Sequence, residues 1–374
     1  MRHEILRPPG ISGLCWLVVA LSLLCSLPRA FSETAPQVIP AATAQDKLNL
    51  FGRTLRVGPA IAFDWSYSGF EFEADCSGEV RAAITGTPGW QKVGYIQVTV
   101  DGVSGERIAI QPGPGDYVLA SDLAQGRHRI QVHKLNEAQY FKLALESLSL
   151  TGTLLAAPAA PALKMEFIGD SISCAEGALG RQPAVPQGES QDAARSYPAL
   201  TAKNLGASAN IVAASSWGLY RGRISPPERS VIPSIYELAS RFRDPAAPWD
   251  FSRYQPDIVV VNLGTNDFGV RKKSPFTDEE FESAIESFHH TLREHYPAAE
   301  IFWVSGMMMS EADGPTQAAV EKIHASDPKI HYVLLPRNKG GGNGHPDLDG
   351  HAKAAVELTA RIREAMPHLP VAAP

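Results

Sequence analysis

Three short segments of the 374-residue chain carry residue types that together can transfer an acyl group. Gly169-Asp170-Ser171 closes an apolar run and offers a hydroxyl, Gly264-Thr265-Asn266-Asp267 offers a carboxamide, and His345-Pro346 offers an imidazole. A neutral imidazole can take the proton of the hydroxyl and later return it to a leaving alcohol. A carboxamide can donate to the oxygen that turns negative in a tetrahedral intermediate. Taken alone, Gly-Asp-Ser reads as a turn in which Asp170 caps the next amide, and Asn266-Asp267 as an Asx turn. The three segments together point to a serine esterase. Around the serine the sequence is Gly-Asp-Ser-Ile-Ser, so the Gly-x-Ser-x-Gly elbow is absent. His345, Asp347, Asp349 and His351 could be imagined as a metal cluster. A proline within the run and a helix starting near Gly350 oppose their convergence, and no ligand motif is present. No metal or cofactor is expected.

These residues must be delivered by the elements around them. Met165 to Ile168, Ile258 to Leu263, Ile301 to Val304 and Tyr332 to Leu335 are short continuous apolar runs, as for strands buried on both faces. Helical patterns lie between them. Thr277 and Glu280 form a capping-box signature, and Phe281, Ile285, Phe288 and Leu292 follow at helical spacing. Gly350 to Met366 is a second amphipathic stretch. Alternating strands and helices predict an α/β doubly wound parallel sheet, with Ser171 and Asn266 just beyond the carboxyl ends of strands, where ligands bind.

From about Leu50 to Gly152 the pattern is different. Ala60 to Trp65, Gly69 to Ala74, Val80 to Thr85, Tyr95 to Val100, Tyr117 to Ala120, His128 to Lys134 and Leu143 to Leu150 read as short strands. Val100-Asp101-Gly102 signals a hairpin, and Ser77-Gly78 and Gln125-Gly126 mark further turns. Such spacing predicts an all-β sandwich. The expected organisation is a signal peptide over 1–32, a β-sandwich over 45–153, an Ala/Pro linker over 154–162 and a catalytic domain over 163–370.

Arg2, His3 and Arg7 precede the nearly uncharged run Ile11 to Leu27 and the small-residue site Ala30-Phe31-Ser32. This is the order of a secretory signal peptide; the rival reading is a retained membrane anchor. The expectation is a secreted or periplasmic protein with no stable membrane association after cleavage. Formal net charge is -6 with basic residues scattered, which gives no footprint for nucleic acid. Cys76 and Cys174 would remain in the mature chain, as two independent buried thiols.

In this order, Ser171, Asn266 and His345 resemble the pattern of the SGNH (GDSL) hydrolases. The chain further resembles the second family of carbohydrate esterases, which join an N-terminal jelly-roll to such a domain. Asp64-Trp65-Ser66, Val100-Asp101-Gly102, Gly126-Arg127-His128, Ser171 to Gly177 and Ala214 to Arg221 carry that likeness. The resemblance implies a flavodoxin-like three-layer domain behind an all-β jelly-roll. It also implies metal-free removal of O-acetyl groups from polysaccharides or oligosaccharides such as xylan or glucomannan. Ser171 would be the nucleophile and His345 the base. The backbone N–H groups of Ser171 and Ser216, with Asn266, would hold the oxyanion. Two departures stand out: Ser216 occupies a position that is usually glycine, with Gly218 as the substitute donor. Gly342 stands three residues before the histidine, where an orienting Asp is usual. A Ser-His dyad is therefore expected, with His345 oriented by a backbone carbonyl or by Asn343. Trp217 and Tyr220 are candidate platforms for a sugar ring, or simply packing under the loop. The competing readings are a secreted glycan-binding protein without catalysis, and an esterase for bacterial cell-wall or exopolysaccharide acetyl groups or for lipid esters.

Overall fold

The structure, a computed structural model, describes residues 35–180, 185, 188–243 and 246–369; the expected signal segment lies outside them. The first part of the chain folds into nine strands. These are β1 (Gln37–Pro40), β2 (Asn49–Phe51), β3 (Thr54–Val57), β4 (Ala60–Phe63), β5 (Gly69–Pro88), β6 (Gly94–Val100), β7 (Val103–Ile110), β8 (Gly113–Lys134) and β9 (Phe141–Leu154). A single helical turn, α1 (Ala41–Ala44), follows β1. The antiparallel sheet has the order β3-β4-β9-β5-β8-β6-β7, with β1 added on β9 and β2 on β5.

Phe72, Ala74, Cys76, Val80, Ala82 and Ile84 repeat at period two along β5 and are buried in one apolar interior. Two expected turns prove to be irregularities inside long strands. The β5–β8 ladder runs from Cys76 opposite Gly126 to Gly78 opposite Leu123 and Val80 opposite Ala120, so the glycines mark bulges. The Asp101-Gly102 turn does close a hairpin, with Val100 opposite Val103 and both turn residues at positive φ (50° and 84°). The sheet begins at Gln37, upstream of the first strand read from the sequence.

The second part is a five-stranded parallel sheet. Its strands are β10 (Lys164–Gly169), β11 (Ser208–Ala213), β14 (Ile258–Asn262), β15 (Glu300–Gly306) and β16 (Ile330–Leu335); β12 (Leu238–Ser240) and β13 (Ala247–Pro248) form a separate small ribbon. The order is β11-β10-β14-β15-β16. The helices are α2 (Tyr197–Leu205), α3 (Thr265–Val270), α4 (Asp278–His295), α5 (Asp313–His324) and α6 (Leu348–Ala365). Alternate residues of β14 feed opposite layers. Val259 and Val261 pack in the core that holds the apolar faces of α4 and α5, whereas Val260 packs with α2 and α6. The capping box of α4 is complete: Glu280 N donates to Thr277 Oγ1 (3.2 Å) and Thr277 N to Glu280 Oε2 (2.7 Å). Strand order reverses at β10, because the chain continues first to β11 on one side and later to β14 on the other. That reversal opens a crevice at the carboxyl end of β10, and Ser171 lies two residues past it.

The two sheets pack as one compact unit, joined by a buried ion pair. Arg53, in the turn between β2 and β3, meets Glu166 of β10 at 3.3 Å, and both side chains are 0% exposed. Arg53 also donates to the carbonyls of Tyr236 and Leu238, and its guanidinium lies over the rings of Tyr236, Trp249 and Phe251. Glu166 accepts further from the hydroxyls of Tyr236 (2.6 Å) and Tyr296 (3.2 Å). Arg243 grips Asp64 through two bonds of 2.7 and 2.8 Å, and Trp65 Nε1 donates to the Ala239 carbonyl (2.7 Å). The Ala/Pro stretch after β9 is pinned to the first sheet by Leu155 N on Glu73 O and by Asn49 on Pro158 O. Removing one partner of a buried pair strands the other charge. Arg53→Met should therefore lower unfolding free energy by about 3–5 kcal/mol, measured by denaturant titration.

Candidate active site

Ser171 sits in the turn that follows β10, with its carbonyl accepting from Glu176 N (3.0 Å). Asp170 shapes this turn: its Oδ1 accepts from Ile172 N (2.9 Å) and its Oδ2 from the Asn266 amide (3.1 Å). Burial pushes the Asp170 carboxyl up to about 7. Asn266 lies in the first turn of α3, just past β14, and donates its second amide hydrogen to the Trp217 carbonyl (2.8 Å). Asp267 accepts from three successive amides, those of Leu219, Tyr220 and Arg221, at 2.6–3.0 Å. Both aspartates hold loops.

His345 arrives from a glycine-rich loop. Its backbone is extended (φ -75°, ψ 163°), the conformation required before Pro346. Gly177 lets this loop approach, since a Cβ there would lie 2.6 Å from the Gly342 carbonyl and 3.0 Å from the His345 Cβ. His345 Nε2 is 2.8 Å from Ser171 Oγ, and Nδ1 is 3.0 Å from the Gly342 carbonyl. A carbonyl can only accept, so Nδ1 carries the hydrogen and Nε2 presents its lone pair to the serine hydroxyl. Burial lowers the His345 pKa and so does the Arg223 charge, while the Gly342 carbonyl raises it.

Ser215 and Ser216 line the same cavity of about 300 Å³ as Ser171, Asn266 and His345. Ser215 N donates to Glu137 Oε2 (2.7 Å), and the Ser215 carbonyl accepts from Gln139 (2.8 Å). Both partners come from the loop after β8, in the first sheet domain. Glu137 also accepts from Gln139 and Gln191 (both 2.8 Å), and Gln191 reaches on to Glu176 (2.8 Å). Burial raises Glu137 and pushes Glu176 up to about 7. Ser216 has φ 73° and its carbonyl accepts from Arg223 N (2.7 Å). Its N–H has no acceptor among the described residues. The Gly218 N–H is taken by the Ser230 carbonyl (3.0 Å), which leaves Ser216 as the available donor of this loop.

Comparison with known proteins places the chain. Residues 167–372 match the GDSL-like Lipase/Acylhydrolase family and residues 51–158 the Carbohydrate esterase 2 N-terminal family. The cellulase/esterase CelE of Acetivibrio thermocellus is 33% identical over 82% of this chain and 38% of its own length. An acetylxylan esterase/glucomannan deacetylase of Cellvibrio japonicus is 30% identical over 64% of this chain and 68% of its own length. The chain belongs to carbohydrate esterase family two, with a GDSL-like catalytic fold. A solved family two esterase from Clostridium thermocellum, in complex with cellohexaose, superposes with a TM-score of 0.78 at 30% identity, covering 86% of this chain and 99% of that one. An acetyl xylan esterase of Butyrivibrio proteoclasticus, at 24% identity and TM-score 0.82, shares the fold over 90% of this chain and 100% of its own. The chain thus spans just over a third of the length of CelE.

Ser171, His345, Ser216 and Asn266 line one cavity, whereas Trp217 lines the neighbouring one and Tyr220 a separate depression. Trp217 is 8% exposed, with its ring packed edge-on against Phe242. Tyr220 packs against Phe276 and bonds Glu280 (3.2 Å), facing a different depression. The imagined metal cluster is dispersed. His351 is buried with Nδ1 accepting from Tyr197 N, Asp347 caps α6, and Asp349 pairs with Lys353. Among the described residues no three metal-binding side chains converge. Cys76 and Cys174 are free, buried thiols. Glu137, Gln191 and Arg223 are parts of the site that the sequence reading did not single out, and Glu176 and Gly177 had no role assigned within the Ser171 to Gly177 likeness.

A serine at φ 73° pays a steric cost that glycine avoids. Ser216→Gly should raise unfolding free energy by roughly 0.5–1 kcal/mol in denaturant titrations.

Proposed function

We propose that this protein is a secreted serine esterase that removes O-acetyl groups from polysaccharide of the xylan or glucomannan type, through a Ser171–His345 dyad. The observation that carries the reading is the 2.8 Å contact between His345 Nε2 and Ser171 Oγ, with the opposite ring nitrogen held by a carbonyl. Kinship to an acetylxylan esterase/glucomannan deacetylase supports the choice of ester. The export pattern at residues 2–32 supports an extracellular or periplasmic site of action, and among the described residues no helix is long and apolar enough to cross a membrane.

In the forward step His345 Nε2 takes the hydroxyl proton as Ser171 Oγ bonds to the acetyl carbonyl carbon. The carbonyl oxygen takes the negative charge and is met by the N–H groups of Ser171 and Ser216. Both hydrogens of the Asn266 amide are engaged in the resting site, so its donation to the oxyanion exchanges one of those partners. Collapse breaks the bond to the sugar oxygen, which leaves with the proton from Nε2. Water then gives a proton to Nε2 and attacks the acetyl-serine; acetate leaves and Oγ recovers its hydrogen. With a carbonyl in place of a carboxylate, the imidazolium is stabilised less than in a full triad.

Ser171→Ala should lower kcat/KM for acetate release from acetylated xylan, and for 4-nitrophenyl acetate, by at least about 1,000-fold. Retained turnover by a folded variant overturns the assignment. The base must be neutral to work, and its pKa lies below the ordinary 6.5, so the acid limb of kcat/KM should fall below pH 6.5. Removing the nearby cation in Arg223→Met should move that limb upward, as read from a pH profile.

A further inference from the structure

A second, positively charged depression lies beside the catalytic cavity. The wall between them is the loop from Ala214 to Ile224: Ser215, Ser216 and Arg223 line the catalytic side, and Trp217 and Ile224 line a neighbouring cavity of about 470 Å³. Gln139 joins the two, since it lines the second cavity while donating to the Ser215 carbonyl.

The charge of this second cavity runs against that of the chain. The whole protein has formal net charge -6, yet among the described residues the charged ones lining the cavity are Lys142, Arg241 and Arg243, with no acid. Asp64 neutralises Arg243. Lys142 gives its ammonium to the Phe242 carbonyl (2.7 Å), an uncharged partner. Arg241 is exposed, and among the described residues neither it nor Arg223 has a carboxylate partner. Glu176 is the acid lining the catalytic cavity, and its oxygens are taken by Ser190 and Gln191. Arg223 is also a cost to the chemistry, because its charge disfavours the imidazolium that His345 must become. The fold nevertheless makes room for it: a Cβ on Gly269 would lie 3.0 Å from its Nη1. A cation kept beside a general base, with no carboxylate partner among the described residues, calls for a counter-charge from the substrate.

The same cavity carries a flat apolar plate. Trp90 is 59% exposed although its backbone is fixed, with Trp90 N on the Gln139 carbonyl (3.0 Å) and its neighbours Gly89 and Gln91 both on the Tyr140 carbonyl. An exposed indole on a fixed backbone, lining one cavity with guanidinium groups, suits a sugar ring that bears a carboxylate.

We propose that this second cavity binds a uronic acid residue of the acetylated glycan, close to the residue whose acetyl group meets Ser171. The pyranose ring lies on Trp90, and its carboxylate pairs with Arg241. Arg223 extends the positive potential to the catalytic side. This rests on the polysaccharide esterase reading and narrows it to anionic glycans.

The test compares acetylated xylo-oligosaccharides of equal length with and without a glucuronic acid branch. Wild-type protein should favour the branched substrate by roughly tenfold in kcat/KM, mainly through KM, as expected for one charge-assisted pair. That preference should vanish in Arg241→Glu and shrink at about 0.5 M salt. Equal kcat/KM for the two oligosaccharides, or a preference that survives Arg241→Glu, overturns the proposal. Should 4-nitrophenyl acetate be turned over but no acetylated glycan, the polysaccharide reading itself falls. Calorimetric titration of the two deacetylated oligosaccharides into wild-type protein then decides the subsite separately: tighter binding of the uronate form supports it, and equal binding ends it.

Discussion

The carboxylate of Glu137 is the interaction on which the candidate site depends. It is fully buried and belongs to the loop after β8, yet it fixes the Ser215 amide of the catalytic domain and, through Gln191, the Glu176 side chain. A buried carboxylate is costly unless its lone pairs are filled. Here three donors fill them, from Ser215, Gln139 and Gln191. The loop that presents the Ser216 amide is therefore set by a residue outside its own domain. The first sheet domain acts as a wall of the site as well as a neighbour to it.

His345, the proposed base, is held by a more local device. One carbonyl, that of Gly342, accepts from both the amide and the Nδ1 of His345 (2.9 and 3.0 Å). The two bonds fix the tautomer and aim the ring with no second side chain. Steric freedom at Gly177 makes the approach possible. What a carboxylate would add is charge stabilisation of the imidazolium, and a neutral dipole supplies less of it. The site is thus well oriented and electrostatically lean, with a nearby arginine that makes it leaner still.

Much of this was legible from sequence because buried parallel strands announce themselves. Apolar runs ending at Ile168 and Leu263 placed Ser171 and Asn266 on one sheet edge. The Thr277–Glu280 signature marked the start of α4 within a residue. Legibility failed where a contact spans domains or where a local signal is ambiguous. Nothing around Glu137 distinguishes a surface loop glutamate from one buried under a distant serine. Ser77-Gly78 and Gln125-Gly126 carry the composition of turns, yet the β5–β8 ladder absorbs both as bulges, with β9 pairing the other side of β5. Trp217 and Tyr220 belong to the loop that carries Ser216, but Trp217 lines the neighbouring cavity and Tyr220 a separate depression. Trp90, more than 100 residues from that loop, presents the exposed ring instead.

The Arg53–Glu166 pair has a consequence for inheritance. Glu166 lies three residues upstream of the strand end that feeds the nucleophile turn, and its cation comes from the other sheet. A gene fragment encoding only the parallel-sheet half would encode an orphaned charge at the centre of its own scaffold. A cut between the two domains would leave Glu166 without its cation and Arg53 without its anion. Selection for the ion pair therefore favours inheritance of the two domains together.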